Sequence, residues 1–294
     1  MKVAVLPPVR FGVGADPRWM VLYARHAETC GFESLVAIEH PLVVSGYTSR
    51  YPYAQSGRMP LADDCAIPDP IELLSFVAAA TTTLGLATGV LVLPAHHPVV
   101  LAKRLATLDV LSGGRLRTCV GVGWMREELE ACGAEFASRG RRADEAIDAM
   151  RLLWSDCSPE GASFAGEFVR FDHAHSYPKP LRPGGVPIHV GGHSPASMRR
   201  AARRADGWQP LGVGGDDLRR AIEDVRRQVA DHGRNGERFE ITISAPASSI
   251  TERTIEKTSA MGVDRLVATA MEPAIDDALD ELSALADRIG LRAR

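Results

Sequence analysis

The chain has 294 residues, a formal net charge of −3, 45% hydrophobic residues and 24% charged ones, proportions that exclude a disordered tail, a collagen-like fibre or a disulfide-stapled mini-protein. The near-neutral charge argues against a nucleic-acid partner, and no stretch approaches the roughly 20 apolar residues of a membrane span. Five scattered cysteines without a Cys-x-x-Cys pair, and an apolar N-terminal run that stops at Pro7-Pro8, suit a cytoplasmic protein with free thiols and no signal segment.

In chain order, the first strand is expected over 3–8, and Asp16-Pro17 pairs an N-cap residue with a proline at the first helical position. Gly31 reads as the C-terminal cap of the helix that follows. A second strand over 34–39 leads into a long segment, 40–68, rich in Pro, Gly, Ser and Tyr. Asp69-Pro70 opens a helix over 69–82, followed by a strand over 84–93, a helix over 98–111 and a strand over 116–123. The run Ser112-Gly113-Gly114-Arg115 reads as a glycine cap and turn between them. A helix over 141–154 precedes a second surplus segment, 155–186, where Ser163 to Phe171 has the look of a small hairpin. Strands over 187–191, 207–211, 241–246 and 265–269 then alternate with helices over 195–205, 216–231, 251–261 and 275–289. Ser194-Pro195 and Gly262 supply a further N-cap and C-cap.

Several of these strands are continuous apolar runs, as expected of parallel strands covered on both faces. Eight strands with crossover helices make a (β/α)8 TIM barrel the expected fold; an open doubly wound sheet is the alternative and suits eight units less well. One domain over residues 1–294 is expected, with insertions at about 40–68 and 155–186 on the C-terminal face of the strands.

Barrel chemistry sits at the C-terminal ends of the strands, which selects candidates directly. After strand two come Glu39 and His40; His40 is a candidate acid–base or substrate-orienting group, or a satisfied structural histidine. Strand three holds Gly89 and Val90, and His96 and His97 follow in a Pro-flanked turn that reads as an exposed loop. Strand four ends in Gly121-Val122-Gly123-Trp124, followed by Glu127 and Glu128 at a helix start. Arg126 stands where a dinucleotide fingerprint needs its third glycine, so a Rossmann reading fails; the pair admits close ligand approach or a tight turn. Gly191-Gly192-His193-Ser194-Pro195 joins a glycine pair to a capped helix start, an arrangement suited to a phosphate. Arg199, Arg200, Arg203 and Arg204 on that helix read mainly as a solvated basic face. His173, His175, His189 and His193 lack zinc-site spacing, so no metal is expected; no nucleophile elbow, Walker sequence or HExxH motif occurs.

Together these pieces resemble the luciferase-like monooxygenase superfamily, and within it the deazaflavin (coenzyme F420) oxidoreductases of mycobacterial and actinobacterial type. The resemblance is carried by Ala79 to Leu84, Thr88 to Pro94, Leu101-Ala102-Lys103, Thr107 to Arg115, Gly121 to Trp124 with Glu127-Glu128, Gly191 to Pro195 and Ala205 to Trp208. It spans about residues 1–215, and the C-terminal quarter adds only barrel units. It implies a cofactor ring set edge-on at the strand ends, backed by a bulge in strand three, often with a non-prolyl cis peptide, that maps to Gly89-Val90. It also implies cofactor contacts from Glu39, His40, Gly121, Gly123 and Trp124, and a phosphate site at Gly191, Gly192, His193 and Ser194. Gly89 stands where other deazaflavin enzymes carry a polar residue, which removes side-chain contacts there but leaves backbone ones.

The function so implied is hydride transfer between the deazaflavin C5 and a small organic substrate, with His40 as proton donor or orienting group and Glu127 or Glu128 as a second acid–base group. The 40–68 segment, with Tyr47, Tyr51 and Tyr53, is expected to form a partly mobile lid over an apolar substrate pocket. FMN with a monooxygenase reaction on reduced flavin and oxygen is the first alternative. A redox-inactive barrel enzyme acting on a sugar phosphate, or a cofactor carrier, follows. A homodimer is expected from the family; Leu73, Leu74 and Phe76 can face a partner or pack within the monomer.

Overall fold

Eight parallel strand positions close on themselves. In the computed structural model, which describes residues 1–292 (the last two residues of the expected domain lie outside the described residues), they are β1 (Lys2–Leu6), β2 (Ser34–Ala37), β3 (Gly85–Thr88) with β4 (Leu91–Val92), and β5 (Leu116–Gly121). An antiparallel hairpin, β6 (Ala162–Ala165) and β7 (Arg170–Ala174), stands apart from the barrel. β8 (Ile188–Gly191), β9 (Gly207–Gln209), β10 (Glu240–Pro246) and β11 (Arg265–Thr269) complete the ring, which closes where β1 pairs β11 in parallel (Val5 opposite Ala268) and β3 pairs β5. The open sheet is thereby excluded. β3 and β4 are one barrel strand, broken at Gly89-Val90, where the peptide bond is cis.

The helices follow the caps read from the sequence. The Asp16 carboxylate accepts from the amides of Arg18 and Trp19 at the start of α1 (Pro17–Thr29), and Asp69 does the same for Ile71 and Glu72 in α2 (Pro70–Ala80). α3 (Pro98–Leu111), a short α4 (Arg126–Ala131) and α5 (Arg139–Ser155) come next. α6 (Pro195–Arg204), α7 (Gly215–Asp231), α8 (Glu252–Ala260) and α9 (Ile275–Arg288) complete the outer ring. The main core lies between strands and helices: outward residues such as Leu35, Leu86, Ile188 and Trp208 pack against Leu74, Leu105, Met150 and Ile222.

The barrel interior is layered. At its N-terminal end Arg265 donates to both oxygens of Glu33 (2.9 and 2.8 Å) and to Glu240 (2.8 Å). Arg117 is fully enclosed there; burial, and then the neighbouring Arg265, lower its pKa to about 10. His189 belongs to this closed end, and burial with the adjacent arginines pushes its pKa well down, so it stays neutral. Above lies a small apolar layer of Ala4, Val36, Ala87 and Val267.

The two insertions end at opposite faces. The 40–68 segment leaves the C-terminal end of β2 and meets the stretch after β5, with Thr48 and Ser49 on Glu127 and Tyr47 and Tyr51 on Trp124. The 155–186 segment joins the end of α5 to the start of β8, which places its ends on the N-terminal face instead. Its hairpin clips to the outside of α5, with Glu145 accepting from the amides of Glu167 and Phe168, each at 2.8 Å. The correction follows from chain direction: a segment between a helix and the next strand belongs to the face where strands begin. No described helix is long and apolar enough to cross a membrane.

Candidate active site

The mouth is organised around Val90. A Cβ added to Gly121 would stand 2.7 Å from Val90 Cγ2, and one added to Gly191 would stand 2.6 Å from Val90 Cγ1. Both glycines are therefore required by the side chain wedged between them, and neither takes a left-handed backbone. Gly89 lies against Val36 in the same way, with 2.5 Å between the added Cβ and Cγ1. Gly89 and Val90 remain partly accessible, so a flat ligand can reach this ridge from the mouth. Gly123 serves the turn after β5: its φ is +78°, and Leu129 and Val92 both lie 3.1 Å from an added Cβ.

Glu39, expected as a ligand contact, braces the broken strand from behind. Its Oε2 accepts from the amide of Val92 at 2.5 Å, and its Oε1 meets His96 Nε2 at 2.8 Å. His96 is thus half-buried and paired, not part of an exposed loop. The alternation of sequence could not reveal this, because the partner is 57 residues away.

His40 turns towards the mouth. Its Nδ1 lies 3.0 Å from Oε1 of Glu128, whose side chain is wholly buried. A carboxylate on Nδ1 fixes the tautomer that carries the proton there and leaves Nε2 as an acceptor. Nε2 has no partner among the described residues. Glu127 takes a different part from the one expected. Its Oε1 accepts from the Thr48 amide (2.7 Å), the Thr48 hydroxyl (2.8 Å) and the Ser49 amide (3.2 Å), and its Oε2 from the Ser49 hydroxyl (2.6 Å). Those bonds, the Ser49 hydroxyl first, bring its pKa down to about 2, so it is an ionised latch for the lid and holds no proton near neutrality. Glu127 and Glu128 are adjacent in sequence on α4 and face opposite ways, a distinction visible only once the helix is placed.

Trp124 is the hub of the lid. Tyr47 and Tyr51 meet it edge-on, with centroids 5.2 and 5.1 Å away, and His40 does so at 6.2 Å. Tyr53 packs on Tyr51 at 5.3 Å and on His193 at 5.9 Å, carrying the aromatic row from Trp124 to the glycine corner. Arg58 donates to the Tyr47 carbonyl at 2.7 Å, and the Tyr47 hydroxyl accepts from the Met59 amide at 2.8 Å. Burial raises the phenol pKa of both Tyr51 and Tyr53.

The corner itself faces the mouth. Gly192 has φ +98°; its amide donates to the Gln209 carbonyl (3.0 Å) and its carbonyl accepts from Trp208 Nε1 (2.8 Å). Ser194 caps α6 by accepting from the Ser197 amide at 3.1 Å. The amides of His193, Ser194 and Ala196 have no acceptor among the described residues, which leaves three donors at a positive helix end. Two of the α6 arginines are paired, Arg200 with Asp144 at 2.6 Å and Arg204 with Asp148 at 2.9 Å, whereas Arg199 and Arg203 are exposed. The solvated basic face holds for Arg199 and Arg203 only; Arg200 and Arg204 instead tie α6 to α5.

The model of the luciferase-like monooxygenase family matches residues 1–282. The chain belongs to the luciferase-like monooxygenase family. Among curated relatives of this luciferase-like chain, an uncharacterised protein of Mycobacterium tuberculosis (strain H37Rv) is 34% identical over 78% of this chain and 77% of its own length. An FMNH(2)-dependent dimethylsulfone monooxygenase of Pseudomonas fluorescens (strain Pf0-1) is 30% identical over 70% of this chain and 51% of its own. Among solved structures, a monooxygenase from Streptomyces bottropensis (RslO1) superposes with a TM-score of 0.77 at 20% identity, over 98% of both chains. An F420-dependent secondary alcohol dehydrogenase also reaches 0.77, at 16% identity and the same coverage. These structural likenesses establish the barrel; the family match establishes a luciferase-like oxidoreductase or monooxygenase. No group of residues able to hold a metal ion occurs among the described residues.

Proposed function

We propose that this protein is an F420-dependent oxidoreductase that exchanges a hydride between the deazaflavin C5 and a small organic substrate. The observation that carries the reading is the His40–Glu128 pair at the barrel mouth, a buried carboxylate holding an imidazole whose Nε2 is free. Hydride transfer to or from a carbon bearing oxygen requires a proton partner on the substrate side, and a tautomer-fixed histidine is suited to it.

The residues present fit such a group. Three unpaired amides at the Gly192–Ala196 corner suit its phosphoryl, and the accessible Gly89–Val90 ridge suits a flat ring. Bound there, the deazaflavin supplies two-electron hydride chemistry at C5. His40 Nε2 takes up or returns the accompanying proton while Glu128 stabilises the charged imidazole. Trp124, Tyr47 and Tyr51 exclude water and offer an apolar wall to the substrate. Glu127 holds Thr48 and Ser49 so that this wall stays in place.

A second reading is a reduced-FMN monooxygenase, favoured by the similarity to dimethylsulfone monooxygenases. Titration of the purified protein with F420 and with FMN, read by fluorescence quenching, separates the two. Saturable F420 binding with F420-linked substrate turnover is expected; micromolar affinity for FMN alone reverses the order, and binding of neither removes both. A cytoplasmic homodimer is part of the same proposal. Phe76 on α2 is 43% exposed and Leu22 on α1 39%, so both are available to a partner, whereas Leu74 is fully buried in the monomer.

A further inference from the structure

One polar side chain in the mouth has no structural employment. Gln209 ends β9 and is only 3% exposed. Its backbone is used, since its carbonyl accepts from the Gly192 amide. Its carboxamide makes no hydrogen bond among the described residues, and neither of its polar atoms belongs to the set sealed from solvent without a partner. The little surface that Gln209 keeps therefore includes both carboxamide atoms. Strand alternation turns Trp208 outward, into the helix layer, and Gln209 inward. There it crosses the barrel towards the bulge: Nε2 lies 3.9 Å from where a Gly89 Cβ would stand.

A carboxamide that reaches the mouth with both polar atoms unpaired by protein is ready to exchange water for a ligand's hydrogen-bonding groups. The bulge it faces offers Val36 and Gly89, neither with a polar side chain. We infer that Gln209 is a cofactor-binding residue that donates to and accepts from the pyrimidinedione edge of the bound ring. A carboxamide presents one donor group and one acceptor side by side, and that edge presents an N–H beside a C=O in the complementary order. The edge is common to flavins and deazaflavins, so the assignment holds for either cofactor. It rests on the reading of the site given above, and it explains how a ring lying against an otherwise apolar ridge is fixed in one orientation.

The test uses riboflavin and 5-deazariboflavin, which carry the ring without a phosphate, together with FMN and F420. Binding is read by fluorescence quenching, and the thermal midpoint of the cofactor-free protein is measured alongside. Gln209→Leu keeps the volume and removes both hydrogen-bonding groups. It is expected to weaken every ring ligand that the wild type binds by about tenfold, the cost of stranding one to two hydrogen-bonding groups. The midpoint of the free protein is expected to stay level or rise, because no hydrogen bond within the protein is lost. Gln209→Asn keeps the chemistry with a shorter reach and is expected to lose affinity as well, which guards against a folding defect in the leucine variant. Equal affinity of wild type and Gln209→Leu for the phosphate-free ring overturns the assignment. So does a fall in the thermal midpoint with affinity unchanged, which marks a packing role. If the wild type binds no ring ligand, the cofactor reading itself fails, and this assignment falls with it. Loss for only one of riboflavin and deazariboflavin, where the wild type binds both, also overturns the assignment, because both rings share that edge.

Discussion

Substituting Gly121 by Ala tests the geometry of the mouth without touching any acid or base. The new Cβ would lie 2.7 Å from Val90 Cγ2, inside any real contact distance, so Val90 or the strand must shift to admit it. Overpacking of this kind costs about 1–3 kcal/mol. Replacing glycine at a position with ordinary φ returns about 0.4–1 kcal/mol by restricting the unfolded chain. Gly121→Ala should therefore destabilise the protein by roughly 1.3 kcal/mol, the difference between the midpoints of those two effects. Gly191→Ala should behave alike, and in both variants Val90→Ala should relieve the clash. The assay is urea unfolding of wild type, Gly121→Ala, Val90→Ala and the double variant, with stability taken from midpoints at constant slope. A coupling of about 1 kcal/mol or more in favour of the double variant is expected, well beyond the roughly 0.5 kcal/mol scatter of independent sites. Additivity within that scatter, or a neutral Gly121→Ala, would refute the claim that these glycines exist to house Val90.

Three further outcomes follow from the site and the barrel floor. Glu127→Ala should speed proteolytic cleavage within 44–58 while leaving the global unfolding midpoint nearly unchanged, since four hydrogen bonds to Thr48 and Ser49 are lost at an exposed latch. Because the folded Glu127 pKa of about 2 lies below the unfolded value, the latch is at full strength above pH about 4.5 and weakens as the pH falls towards 2, which hydrogen exchange of the Thr48 and Ser49 amides can follow. In the barrel floor, burial alone would raise the carboxyls of Glu33 and Glu240, yet Arg265 holds both at about 2; Arg265→Ala should cost about 3–5 kcal/mol in urea unfolding and raise the pH at which the protein begins to unfold in acid. His40→Asn should lower turnover by about 10²–10⁴-fold with cofactor affinity retained, and Glu128→Gln should shift the pH profile of turnover by altering the tautomer of His40.

Much of this protein can be read from local signals. Asp16-Pro17, Asp69-Pro70 and Ser194-Pro195 start helices where expected, because a cap and its proline act within four residues. Strand boundaries run shorter than the apolar runs suggest: 84–93 divides at Gly89-Val90, and 116–123 stops at Gly121 where the turn begins. The Gly191–Ser194 corner was legible for the same local reason. The roles of Glu39, Glu127 and Glu128 were not, since each depends on a partner 53 to 88 residues away. Nor was the part played by Gly121 and Gly191, which make room for a side chain and so need no special backbone angle. Gln209 left one usable trace: it follows a tryptophan in a short strand, and period-two alternation turns it into the barrel.

The central claim is that a planar tricyclic cofactor lies in the barrel mouth with its phosphoryl group on the amides of His193, Ser194 and Ala196. A crystal structure of the protein with F420 tests it most directly. The account predicts the phosphoryl oxygens within hydrogen-bond distance of those three nitrogens and the ring beside Val90, beneath Trp124. Density for the phosphoryl group anywhere else on the barrel, or a ring stacked outside the tyrosine lid, would contradict it.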